Sequence, residues 1–541
     1  MATRFWLNVS VLATVLAAPV AGQETDKTRI VEGIVAGEQE FLSKIKQLQP
    51  FLETYIQEFG APGDSGTPLV NDQYMLGRLD LAKASNQNGI AMSAGFQKKS
   101  HGRESIRFLP AGWAQMAVPD ATAFNTATYD FQYSRREFLG EVRCLVFEVA
   151  PLEKKGAGRF IGTIWVDDQD LRIVRFNGTY TRSKSSWLFF HFDSWRVNVE
   201  PGLWVPAFIY VEEGNGFSED AGQAAHPRFK AQTRFWGYSP VRSKADELSD
   251  VLIESPSPVQ DKSGTGDLAP LEEQRLWEKQ AERNVVLRLE KSALLAPKGE
   301  VDQVLNTVVN NLIATNHLSM EVECRVLLTM PFETFSIGHT LVISRGLLDV
   351  LPDEASLAMV LAEELAHIAL GHGTATSYAF GDQLMFSDTE ITQRMRLTRS
   401  PQEMEEAGNK AVEMLSNSPY KDKLGHAGLF LKALQSRIPA LPSLVQANFG
   451  NQFASGANMD RLVELAKAAP PLEENKIEQI AALPLGSRIK LNVWSNQISL
   501  IRTGPITFVS AREKMPFEVT PLAVYLTRVG NKEPVVTAAG H

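Results

Sequence analysis

The sequence predicts an α+β protein of two domains, an antiparallel β-sheet domain followed by a mainly helical domain with a small sheet. Between residues 65 and 240, short runs rich in β-branched and aromatic residues alternate with turn-formers such as Asp167-Asp168-Gln169-Asp170 and Pro201-Gly202, which is the pattern of a meander. Residues 251–270, with Pro256, Pro258, Gly264, Gly266 and Pro270, have no periodicity and read as a linker. Beyond them apolar residues return at helical spacing. A chain of 541 residues that is 44% hydrophobic has material for two or three cored domains. Its net charge of −9, with both signs interspersed, leaves no basic stripe for nucleic acid or anionic lipid, so nucleic-acid binding is not expected.

At the N-terminus Arg4 precedes an apolar run over 5–18 and the small residues Val20, Ala21 and Gly22, the layout of a cleavable signal peptide over 1–22. The run falls short of the roughly 20 apolar residues that a bilayer core needs. The expectation is therefore an exported protein, periplasmic or secreted, with no stable membrane span. In the first domain, 23–250, Ile34, Phe41, Ile45 and Leu48 recur at helical spacing before Pro50 and predict one or two helices over 24–60. Strands are predicted over 159–167, 171–177, 187–197, 204–211 and 229–235. In the last, Phe229, Ala231, Thr233 and Phe235 alternate with Lys230, Gln232 and Arg234, which predicts one covered face and one wet face.

The second domain, 271–495, opens with a stripe of Val301, Val304, Leu305, Val308, Val309 and Leu312, bounded by Pro297 and Gly299. Strands at 326–328 and 340–343 follow, then a helix from Asp353, with helices dominating to about 480. The remainder, 496–541, is a strand-rich extension with runs at 498–501, 506–510 and 524–527. Cys144 and Cys324 are far apart in sequence and read as buried free thiols, since cores of this size need no covalent staple.

The chemistry is concentrated in Glu363-Glu364-Leu365-Ala366-His367. It differs by its first residue from H-E-x-x-H, in which positions i and i+4 of a helix place two imidazoles on one zinc while the adjacent glutamate activates a water. Around it, the run from Phe335 to Ile343, then Arg345-Gly346-Leu347-Leu348, then the approach from Glu354 to Ala358, and His372 five residues after His367, together resemble the HtpX-like and CAAX-prenyl-endopeptidase family of zinc metallopeptidases. The resemblance implies a gluzincin-type fold, a zinc cofactor and a substrate of unfolded or extended polypeptide bound along an edge strand at Thr340, Leu341, Val342 and Ile343. It makes Glu364 the general base, Glu363 and His367 metal ligands, and His372 and Arg488 supporting residues around them. Separately, 159–167 followed by 171–175 is similar to the strand-turn-strand of curved half-barrels of lipoprotein-carrier type. That implies a half-barrel-like first domain able to hold a lipid or other hydrophobic ligand, although such aromatics more often fill a core.

Three positions depart from the metallopeptidase pattern. Where the family has the third ligand and the aspartate of E-x-x-A-D, this chain has Met404 and Gly408, and the histidine of H-P-x-x-x-R-I is Leu483. A glutamate at 363 is itself a competent zinc ligand. A thioether is a poor one and brings no charge. Four-ligand zinc sites are worth roughly 10 to 16 kcal/mol, so each lost donor weakens binding by on the order of a hundredfold. Zinc is accordingly expected to bind weakly or not at all, and the preferred expectation is a non-catalytic polypeptide-binding relative. Two alternatives stay open: a zinc endopeptidase closed by a carboxylate among Glu403, Glu405 and Glu406, and a hydrophobic-ligand carrier acting through the first domain. Without metal, Glu363 and Glu364 would repel one another and raise a carboxyl pKa, or pair with a charged His367.

Overall fold

The computed structural model describes residues 21–60, 68–78, 97–98, 106–107, 114–152, 158–181, 190–213, 229–238, 270–373, 390–455, 458–473, 489–492, 495–500, 519, 521 and 525–529. Nearly all of the signal segment, the linker and the loop containing Leu483 and Arg488 lie outside these residues, as does the run at 506–510.

A helix α1 (Ala21–Ile45) leads into nine strands: β1 (Phe51–Phe59), β2 (Leu69–Arg78), β3 (Tyr129–Leu139), β4 (Val142–Pro151), β5 (Phe160–Asp167), β6 (Ile173–Tyr180), β7 (Phe190–Glu200), β8 (Leu203–Glu213) and β9 (Phe229–Trp236). They form one sheet in the order β2-β1-β9-β8-β7-β6-β5-β4-β3. From β3 to β8 this is the expected meander of sequential antiparallel neighbours, closed by β9 pairing with β1. The helical expectation over 24–60 holds only to Ile45. Phe51–Phe59 is a strand whose first seven residues are all buried, because it lies inside the sheet with both faces covered.

On one face α1 inserts Ile34, Phe41 and Ile45 among Ile56, Phe160, Phe176 and Phe192. The aromatic residues of this face thus fill a core around the chain's own helix. Orientation of the helix is set by Glu38, which receives both Nη atoms of Arg196 at 2.6 and 2.7 Å in a buried two-pronged pair. On the opposite face, Cys144, Val146, Trp165, Trp195 and Trp204 pack around Leu526, and Val529 donates its backbone N–H to Asn198 at 2.8 Å. The tail around 525–529 therefore returns to the first domain and is not strand there, contrary to the expectation for 524–527.

The second domain comprises α2 (Pro270–Lys291), α3 (Glu300–Thr315), β10 (Glu323–Leu327), β11 (Thr334–Ile337), β12 (Thr340–Ser344), α4 (Arg345–Val350), α5 (Glu354–Ala369), α6 (Pro401–Ser416), α7 (Leu424–Arg437) and α8 (Val463–Ala468). Asp353 caps α5 through the N–H of Ser356, and Ser400 with Glu403 forms a capping box on α6. The apolar stripe of α3 is buried as expected except at Val304, which is 38% exposed. The small sheet has the order β10-β12-β11, with β12 parallel to β10 and antiparallel to β11. Thr340, Leu341, Val342 and Ile343 therefore form the central strand, not an edge. Their backbone groups are already paired on both sides, so no polypeptide can add there.

The outer face of β9 is not wet either. Phe51, Tyr55, Phe208, Tyr210 and Trp236 share one apolar cluster with Val285, Leu289, Leu327 and Phe332 of the second domain. Buried Arg234, on that face, donates to Leu328 O and to Asn496 Oδ1. Three buried carboxylates tie the interface and the second domain's loops. Glu53 accepts Met330 N at 2.8 Å and Arg345 Nη2 at 3.1 Å. Asp72 accepts Ser443 N at 2.6 Å and Leu444 N at 3.1 Å. Glu333 Oε2 accepts three successive N–H groups, those of Asn448, Phe449 and Gly450, at 3.0, 2.8 and 3.0 Å. Among the described residues no helix is long and apolar enough to cross a membrane. Cys144 and Cys324 are buried free thiols on different sheets, each pushed up to about 12 by burial.

Burial raises Asp72 and Glu333 to about 6, against the pull of the N–H groups they accept. A carboxyl whose folded-state pKa is raised binds its proton more tightly when folded, so its contribution favours the folded state at low pH and is lost as pH rises from about 4 to about 6. The loss is on the order of 2 to 3 kcal/mol per group. Urea unfolding of the parent and of an Asp72→Asn, Glu333→Gln double variant between pH 4.5 and 7.5 reads this directly. The parent should lose stability relative to the variant across that window, and a flat difference would show that these carboxyls are not shifted.

Candidate active site

Helix α5 forms because apolar residues run almost unbroken from Ala355 to Ala366 and bury it on all sides, which carries Glu363, Glu364 and His367 into the interior with no exposed surface at all. The structure thus brings together the three residues expected to form the site. It adds a fourth that the sequence reading missed. Arg461, equally buried, donates Nε to Glu363 Oε2 at 2.6 Å and Nη2 to Glu364 Oε1 at 3.1 Å. Nη2 also lies 2.5 Å from Glu363 Oε2, and the guanidinium stacks 4.5 Å from the centre of the Phe453 ring.

Arg461 follows two short antiparallel strands, Ala454–Ser455 and Asn458–Met459, and comes just before α8. The next residue, Leu462, has a φ of +52°, a left-handed conformation that costs a branched side chain about 1 to 3 kcal/mol and is held by its surroundings. Glu364 Oε1 receives a second hydrogen bond, 2.6 Å from Thr334 Oγ1 on β11. A counter-cation was required by two buried carboxylates, but which of the chain's arginines supplies it depends on a loop nearly 100 residues downstream.

His367 and His372 meet through their Nδ1 atoms at 2.9 Å, and His372 Nε2 lies 3.3 Å from Glu406 Oε2 on α6. Helical projection places a residue at i+5 about 140° away. The helix ends first, however: Gly371, with φ +71°, turns the chain back so that His372 folds onto His367. Burial pulls His367 down to about 4, more than the nearby Glu364 raises it, so the ring is neutral and the expected pairing with a charged imidazole does not form. Burial likewise pushes Glu363 above the usual carboxylate range, against the attraction of Arg461. Arg399 closes the side of the site by donating to Gly373 O and Ser336 Oγ.

Two of the departures, Met404 and Gly408, lie on α6. Met404 is half-buried and Gly408 buried, with open space where a Cβ would stand. Of the carboxylates that might have closed a metal sphere, Glu403 caps its own helix, Glu405 is exposed, and Glu406 engages His372 and Gln402. Zinc, the ion implied by the resemblance, does not fit this donor set. Glu363 Oε2 and Glu364 Oε1 face a fixed guanidinium, and among the described residues no group of three or more His, Cys, Asp and Glu side chains could hold a metal ion. Glu364 has no exposed surface, and its Oε1 accepts from both Thr334 and Arg461.

Replacing Arg461 by Leu should destabilise the protein by about 3 to 5 kcal/mol, because two buried carboxylates lose their counter-charge. Adding Glu363→Gln and Glu364→Gln should recover most of that. Urea midpoints would measure both, and an Arg461→Leu variant as stable as the parent would mean the charges are not paired as described. Gly408→Ala should stabilise α6 by about 0.5 to 1 kcal/mol, since the space is open and the backbone helical. A lower melting temperature in this variant would show that the space is not open.

No curated protein matches the chain. Residues 301–415, which run from α3 to the end of α6 and include Glu363, Glu364, His367, Met404 and Gly408, match the model of Peptidase family M48, so this part of the chain is similar to the domain of that family.

Proposed function

We propose that this is an exported, non-catalytic member of the metallopeptidase group, a pseudopeptidase that binds unfolded or extended polypeptide without cleaving it. The observation that carries the reading is Arg461, whose guanidinium lies against both Glu363 and Glu364 in a site without exposed surface. A zinc peptidase needs a divalent cation beside those carboxylates, an open coordination position and a base free to take a proton from water. In this chain an arginine, ionised at any working pH, stands beside them instead. Export is supported by Arg4 and the short apolar run at 5–18.

The mode of polypeptide binding differs from the one the sequence suggested. Strand addition at Thr340–Ile343 is blocked by pairing on both sides, and in β11, which is buried throughout, the carbonyls of Thr334 and Ser336 already accept from Asn451 N and Arg399 Nη2. Binding therefore calls on side chains and not on main-chain hydrogen bonds. The carrier alternative is less favoured, because α1 fills the aromatic face that would hold the ligand.

Metal content after dialysis, measured on the purified mature chain, together with incubation of an unfolded, reduced carboxymethylated protein with and without added zinc, tests the proposal. The expected result is far less than one zinc per chain, retention of the unfolded protein in a pull-down, and no fragments. Stoichiometric zinc with steady cleavage that Glu364→Gln abolishes would overturn it.

A further inference from the structure

The chain that precedes Arg461 is tied down at residues 443, 444 and 448–451. At the start, Asp72 on β2 accepts the N–H groups of Ser443 and Leu444 at 2.6 and 3.1 Å, and Ser443 Oγ donates to the Asp72 carbonyl at 3.1 Å. Leu444 O accepts Phe332 N at 2.7 Å. In the middle, Glu333 gathers the amides of Asn448, Phe449 and Gly450. Asn451 N then donates to Thr334 O at 3.2 Å, and Asn451 O lies 3.5 Å from Arg461 Nη1. Thr334 serves both ends, since its carbonyl holds Asn451 while its hydroxyl donates to Glu364.

Two features make this more than a well-packed loop. Most of the fastenings use the loop's backbone N–H groups, which would be left buried and unpaired if an acceptor were withdrawn. The first acceptor belongs to the other domain, on β2, which is the outermost strand of the nine-stranded sheet. A displacement of that strand has a continuous series of hydrogen bonds leading to the carboxylate pair.

We propose that the stretch fastened at 443–451 is a strap through which the edge strand β2 of the first domain holds Arg461 between Glu363 and Glu364, so that an event at that sheet edge decides whether the pair is neutralised. The inference rests on the reading of the site as closed by a guanidinium, and it adds the place from which that closure is controlled. When the strap is slack the guanidinium withdraws, and the two carboxylates must take up protons or another cation.

Labelling of the full mature chain with phenylglyoxal, an arginine-selective dicarbonyl, tests the strap, with modification followed at individual peptides by mass spectrometry. Buried Arg196, paired with Glu38 in the first domain, reports global unfolding, and half-exposed Arg135 reports reagent activity. In Asp72→Ala, Arg461 should label faster by on the order of ten- to a hundredfold, the change in open population that loss of hydrogen bonds to a charged group carries. Arg196 should stay protected. Asp72→Asn, which keeps one acceptor and the side-chain shape, should fall between parent and Asp72→Ala. Unchanged labelling of Arg461 with Arg196 protected would overturn the proposal, and so would joint exposure of Arg196 and Arg461 in both variants. Zinc content and cleavage by the same parent preparation bear on the pseudopeptidase reading alone, so either idea can fail while the other stands.

Discussion

Two adjacent glutamates on a helix with no exposed surface impose the constraint around which the second domain is arranged. Carboxylates removed from water demand a positive charge and hydrogen-bond donors, and α5 is too apolar to provide either. Arg461 supplies the charge from one side and Thr334 a hydroxyl from the other. The left-handed Leu462 and the amides gathered by Glu333 are understandable as consequences of bringing a guanidinium to that place and keeping it there. In an M48-like framework the same position beside the glutamates calls for a divalent ion. Here the planar guanidinium fork of Arg461 stands against both glutamates.

The two domains are joined by the same kind of chemistry. Glu53 and Asp72 reach across from the first domain, Glu333 does the same within the second, and most of what these buried acceptors accept is backbone N–H. Backbone donors are specific in position and indifferent to side-chain identity, so they fix where loops lie without requiring a recognisable motif. Together with the shared cluster of Phe51, Tyr55, Tyr210 and Trp236 against Val285, Leu289 and Phe332, they make the outer face of β1 and β9 an internal surface. The first domain is thus part of what positions the candidate site, and its own aromatic face is filled by α1.

Much of this was legible beforehand. Runs of β-branched and aromatic residues between turn-formers located the strands from Phe160 to Trp236, and the helix carrying Glu363, Glu364 and His367 was expected from Asp353. The spacing of Glu363, Glu364 and His367 was enough to place them on one helix together. Errors arose where an expectation extended a local rule past its range. Helical spacing was carried through 51–59, although a strand takes over after Pro50. Alternation in β9 was read as a wet face because a sequence window cannot contain the partner domain that covers it.

Taken alone, the amino-acid order determined the α+β class, the positions of most elements and the metallopeptidase-like helix, and it put Met404 and Gly408 where the resemblance implies carboxylates, because these depend on period and residue chemistry within short windows. Tertiary structure alone decided that Arg461 neutralises the carboxylate pair, that Thr340–Ile343 is a central strand, and that Asp72 fastens one domain to the other. Each of those is a pairing between segments far apart in the chain. Among many arginines, strands and acidic residues of equal local character, only packing selects the one whose burial is compensated.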